Sequence, residues 1–155
     1  MRNVLLRATG ISVSIALLAA VAIADDAKQQ AIKKDRALYE GTWQVVDVVV
    51  NGNVVKDEDA KKIMVVNGSD GTWKLLLDGR QISSGTSTID PTQSPKTIDF
   101  TVTEGEGAGD SHLGIYEIGK NARKLCFADA GQDRPTKFSS DADNQHVLVK
   151  FERVK

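Results

Sequence analysis

A single cysteine, Cys126, stands in the whole chain, so no disulfide can form within it. It sits in Lys124-Leu125-Cys126-Phe127-Ala128, an apolar strand-like run, where a thiol is a small buried hydrophobe rather than a reactive group. Only two histidines occur, His112 and His146, each with no Cys or His beside it. A zinc site needs three or four converging ligands, so no metal is expected. Positive charge is not in surplus: 20 Lys and Arg stand against 21 Asp and Glu, a net charge of -1. A general polyanion binder needs clustered cations, which excludes nucleic acid as a partner. No Gly-rich phosphate loop and no nucleophile elbow occur, and no cofactor is expected. The acidic stretches 104–110 and 141–144 carry oxygen ligands but not the twelve-residue ligand spacing of a calcium loop.

Long hydrophobic runs are also absent. The longest apolar stretch, residues 11–21, is shorter than the roughly 20 residues that span a bilayer. With Arg2 and Arg7 before it, and Ala22-Ile23-Ala24 then Asp25-Asp26 after it, the segment 1–24 reads as a signal peptide. The alternative is an uncleaved membrane anchor; the favoured reading is an exported protein, periplasmic or extracellular, with no stable membrane span after cleavage. Residues 25–40 form a polar, helix-like leader whose apolar stripe is thin: Ala31, Ile32, Leu38 and Tyr39.

From residue 41 to 155 helical periodicity gives way to strands. Residues 44–50 are dense in β-branched side chains and end at Asn51-Gly52; Asp78-Gly79 follows residues 72–77, where Trp73, Leu75 and Leu77 share a face. Asp57 is placed to cap a short helical turn. Residues 80–89 are polar and weakly patterned, which suggests an exposed or edge-like strand, with Ser83-Ser84 solvated like Ser139-Ser140. Asn67-Gly68-Ser69 fits a glycosylation pattern but reads as a turn. Ile98, Phe100 and Val102 alternate on one face, and so do Val147, Val149, Phe151 and Arg153. About eight strands at meander spacing, a 155-residue chain and short loops predict one all-β domain, an eight-stranded antiparallel up-and-down barrel behind an N-terminal helix. Such a barrel is either filled by side chains or holds one small ligand.

The stretch Gly41-Thr42-Trp43-Gln44-Val45-Val46 opens the first strand. Gly-x-Trp in that place, with Arg153 near the end of the last strand, resembles the lipocalin and calycin signature. The resemblance implies barrel closure by Gly41, Trp43 and Arg153, with the guanidinium over the indole contributing about 0.5–2 kcal/mol. With Pro95-Lys96-Thr97-Ile98-Asp99-Phe100, Gly114-Ile115-Tyr116-Glu117 and Arg134-Pro135-Thr136-Lys137-Phe138, the chain is similar to a small lipocalin-like exported domain of unknown function, abundant in planctomycete bacteria. That likeness implies a fold and no reaction.

The function expected is therefore a non-enzymatic barrel that binds a small apolar or amphipathic ligand, or an interaction module that meets an envelope protein partner. Alternation places Val45, Leu75, Phe100, Tyr116 and Phe127 as lining residues, and Arg134 is a ligand contact at the rim or a structural tie to backbone carbonyls or Asp99. The alternative is an enzyme whose site assembles from Asp99, His112, Tyr116, Glu117 and Arg134 in three dimensions. No catalytic residue is assigned.

Overall fold

The structure, a computed structural model, describes residues 12–155. A long helix, α1 (Ser12–Tyr39), leads into β1 (Gly41–Val50), β2 (Asn53–Val54) and a one-turn helix, α2 (Asp57–Ala60). Then come β3 (Ile63–Asn67), β4 (Thr72–Leu77), β5 (Arg80–Asp90), β6 (Lys96–Gly105), β7 (Ser111–Ile118), β8 (Ala122–Phe127) and β9 (Val147–Arg153). Leaving aside the two-residue β2, each strand pairs antiparallel with the next, and β9 returns to β1. The result is a closed eight-stranded up-and-down barrel, the fold class expected from the sequence. The closing seam runs from Trp43 opposite Arg153 to Val50 opposite Val147, and leaves no long unpaired barrel edge among the described residues.

Local chemistry sets the hairpins. Asn51-Gly52 and Asp78-Gly79 hold φ of 50° and 80°, and of 50° and 75°, the left-handed pair that a two-residue turn between twisted strands requires. The pleat then sorts each strand into an inner and an outer face. Trp43, Val45, Val48, Val149 and Phe151 point inward and form the main core cluster, joined by Ala60 of α2.

The structure corrects several strand-level expectations. β5 is no edge: it lies between β4 and β6 and makes the longest pairing in the barrel. A register shift between Leu75 and Leu76 breaks the expected Trp73–Leu75–Leu77 face, leaving Leu77 39% exposed. Ser83 is buried inside the barrel rather than solvated. Asn67 closes β3 as a buried residue, not a turn residue. Lys56 holds the cap position of α2, one residue ahead of Asp57. Cys126 is buried as expected, but under the loop after β8, where its thiol meets the Ser139 carbonyl at 3.5 Å.

Helix α1 runs through the boundary expected at residue 24, and residues 1–11 of the proposed signal peptide lie outside the described residues. No helix among the described residues is long and apolar enough to cross a membrane. Lys28, Ile32, Asp35, Arg36 and Tyr39 recur at helical spacing and make one face. That face docks mainly through polar contacts, not through the apolar stripe read from the sequence. Lys28 pairs with Asp90 at 2.8 Å, Lys96 with Asp35 at 2.7 Å, and Arg36 donates to Ser87 Oγ at 2.9 Å. Ile32 and Tyr39 supply the apolar part, packing toward Ile89, Ile98 and Tyr116.

Candidate functional site

The barrel interior is not filled. It holds a cavity of about 400 Å³ whose walls include Val45, Val65, Leu75, Phe100, Phe127 and Val149. That is within the size range of small-molecule sites. Its far end is bordered by Glu106 and Gly107, both exposed in the β6–β7 connection, and the opposite end is floored by Tyr39, Asn67 and Arg123. The cavity exists because β5 turns small residues inward. Ser83 and Ser87 line it, and Gly85 lies opposite Trp73. A Cβ at Gly85 would overlap the Thr101 carbonyl oxygen and come within 2.6 Å of Trp73 Cζ2. The weak pattern that made β5 look like an edge is thus the pattern of a wall kept thin.

Aromatic rings form much of the upper wall. Phe100 stacks on His112 at 4.9 Å and meets Phe127 edge-on at 5.1 Å and Trp73 at 6.0 Å. His112 Nδ1 lies 3.0 Å from the Ala128 carbonyl, which can only accept, so Nδ1 carries the proton of that bond. The other ring nitrogen then remains an acceptor at the cavity wall while the imidazole is neutral.

The floor is built around Trp43, which is fully buried and donates its indole N–H to the Tyr39 carbonyl at 2.8 Å. Arg153 lies 4.3 Å over its ring, as the resemblance implied. The same guanidinium donates to the carbonyls of Lys120 at 2.7 Å, Glu40 at 2.6 Å and Leu38. Gly41 follows from this: a Cβ there would meet Arg153 Nη1 at 2.7 Å. A second guanidinium went unnoticed in the sequence. Arg123, 6% exposed, lies 4.8 Å over Trp43, 4.2 Å over Phe151 and 5.1 Å over Tyr39. Its Nη1 donates to Asn67 Oδ1 at 2.7 Å, and its Nε has no partner. Burial pushes its pKa down to about 10, which leaves it charged at neutral pH. The signal was available: Arg123 alternates with Leu125 and Phe127 on the inward face of β8.

Beside the floor, Asp35 is a buried carboxylate that accepts from Tyr116 Oη at 2.8 Å and from Lys96. Tyr39 meets Tyr116 edge-on at 5.3 Å. Burial raises both phenols, Tyr39 to about 12, and the Asp35 bond raises Tyr116 further. A phenol raised in the folded state stabilises fully below its unfolded value of about 10 and ceases to do so as pH climbs through its folded value. Arg123 acts in the opposite sense, since losing its proton relieves a burial cost, but guanidinium deprotonation is far harder in practice. Stability should therefore fall between about pH 10 and pH 12 by roughly 2–3 kcal/mol for Tyr39 alone. Urea midpoints across that range check the sign, and Tyr39→Phe should show a smaller fall, keeping only the part that Tyr116 contributes.

Of the residues expected to line the interior, Val45, Leu75, Phe100 and Phe127 do so. Tyr116 points the same way across the sheet but lies beneath the cavity, held by Asp35, and borders an open groove with Lys96, Glu117 and Phe138 instead. Arg134 is not at the rim. Its Nη1 donates to the carbonyls of Gly114 at 2.7 Å and Ile98 at 3.2 Å and pairs with Asp99 at 2.6 Å, the structural alternative considered for it. The five residues of the enzyme alternative do not gather at one place: Asp99 and Arg134 pair together, His112 lines the cavity, and Tyr116 and Glu117 border the open groove, where Tyr116 is held by Asp35 and Glu117 by Lys124 at 3.0 Å. Among the described residues no three His, Cys, Asp or Glu side chains gather as metal ligands. No protein-family model, no curated protein and no solved structure matches the chain.

Proposed function

We propose that the protein is an exported, non-enzymatic, lipocalin-like barrel that binds one small apolar or amphipathic ligand in its interior. The observation that carries this reading is the cavity of about 400 Å³, walled by aliphatic and aromatic side chains and bordered by exposed Glu106 and Gly107. The lipocalin kinship is supported by Trp43 under Arg153 at the closed base, and export by the residue pattern of segment 1–24. An envelope interaction module has less behind it. Apart from Val21 and Ile23 in the segment read as a signal peptide, the exposed large apolar side chains are Val54 on β2, Leu77 on β4 and Val154 just after β9, each without such a neighbour in its own stretch of chain.

Ser83→Leu tests the reading. Ser83 lines the cavity and is buried, so a leucine there fills empty space and adds apolar contact. The variant is expected to be about 1 kcal/mol more stable and to lose the ligand. Native mass spectrometry of both proteins from the exported fraction of their own cells gives the readout. Wild type should carry a small molecule released on denaturation, and the variant none. Wild-type protein that carries nothing and takes up no dodecanol contradicts the binding reading.

A further inference from the structure

The cavity floor holds a charge that nothing in the fold neutralises. Arg123 is 6% exposed and lines the cavity, yet no ion pair among the described residues includes it. Its fixed partners are three aromatic rings and the neutral amide of Asn67, and its Nε is unpaired. Arg153, over the same indole, adds positive charge instead of cancelling it. A buried guanidinium without a counter-ion is costly, and apolar barrels of this size have no packing need for one. The cavity's one carboxylate, Glu106, sits exposed at the opposite end. Charge therefore runs along the cavity axis, from negative at the rim to positive at the floor.

We propose that Arg123 is the head-group site for a linear amphiphile with a carboxylate head, the head at the floor and the tail lying against Val149, Leu75 and Phe127 toward Glu106. This rests on the ligand-binding reading above and names its ligand class. A carboxylate matches the planar donor fork of a guanidinium, and the apolar wall accepts a tail but offers no second cation. Glu106 disfavours a carboxylate head left at the rim, so the bound orientation is head at the floor and tail toward the rim. His112 and Ser83 leave room for a weakly polar group along the tail without demanding one.

Calorimetric titration of the full chain with dodecanoate, dodecanol and dodecyltrimethylammonium tests this. Wild type should bind dodecanoate at least roughly tenfold tighter than dodecanol, the worth of one bond to a charged partner, and the ammonium compound least. Arg123→Met keeps length and loses charge; it should erase the difference between acid and alcohol while dodecanol binding persists. Arg123→Lys should keep part of the preference. Equal wild-type affinity for acid and alcohol overturns the assignment even if Arg123→Met fails to fold, and an acid preference that survives in Arg123→Met overturns it as well. Binding of dodecanol without acid preference sinks this assignment alone. Failure of all three probes sinks it together with the binding reading.

Discussion

Trp43→Ala should lower stability by about 4 kcal/mol and the melting temperature by roughly 10–20 °C, the largest loss available from one side chain here. Trp43 is fully buried, and its deletion removes the ring under Arg123 at 4.8 Å and under Arg153 at 4.3 Å. It also strands the Tyr39 carbonyl, which loses its donor at the junction of α1 and β1. Two guanidinium groups would then face each other across a void, so repulsion adds to the lost packing. Trp43→Phe keeps one ring but loses the N–H and part of the indole's volume, and should cost about 2–3 kcal/mol. Thermal unfolding followed by far-ultraviolet circular dichroism separates these cases. A Trp43→Ala protein within about 1 kcal/mol of wild type would mean that the base of the barrel is held by something else.

Gly85→Ala should cost about 3 kcal/mol, although it adds a single methyl group. Gly85 sits at the register shift of β5 against β6, where the strands approach closely. The added carbon would run into the Thr101 carbonyl, which is backbone and cannot rotate away, and into Trp73 at 2.6 Å. Relief requires the strands to part, which breaks ladder hydrogen bonds in the most extensive pairing of the barrel, and requires Trp73 to shift as well. The urea midpoint then falls with an unchanged slope, and Trp73 emission shifts. A variant of wild-type stability would contradict the close approach of β5 and β6.

The features legible in the sequence were those set by short-range chemistry. Asn51-Gly52 and Asp78-Gly79 announced their hairpins because few other dipeptides accept two positive φ values. Trp43 and Arg153 could be paired because the resemblance supplied the long-range contact that alternation alone does not. Facing was readable for Phe100, Phe127 and Val45, but height along the barrel axis was not. Tyr116 faces inward and yet ends beneath the cavity, because a helix residue 81 positions away claims its hydroxyl. Asp35 gave no signal for the same reason: its partners come from β6 and β7.

β5 misled in a more instructive way. Alternation is detected when large apolar residues face the core, and a strand that borders a hollow presents Ser83, Gly85 and Ser87 instead. An empty interior therefore erases the very periodicity by which an inner face is recognised. Arg123 gave a weak signal for another reason: a charged side chain is seldom fully buried, so a lone Arg at the start of a strand does not announce an inward position. Its neighbours Leu125 and Phe127 argued otherwise, and both share the cavity wall with it.

The most direct test of a ligand-holding interior is a nuclear magnetic resonance titration of methyl-labelled protein with dodecanol. A cavity that takes ligand predicts saturable shifts confined to inward methyl groups such as those of Val45, Val65, Leu75 and Val149, with contacts from ligand protons to the same groups. Shifts that are absent, or that fall on outward residues such as Leu77 and Val154 instead, would contradict it.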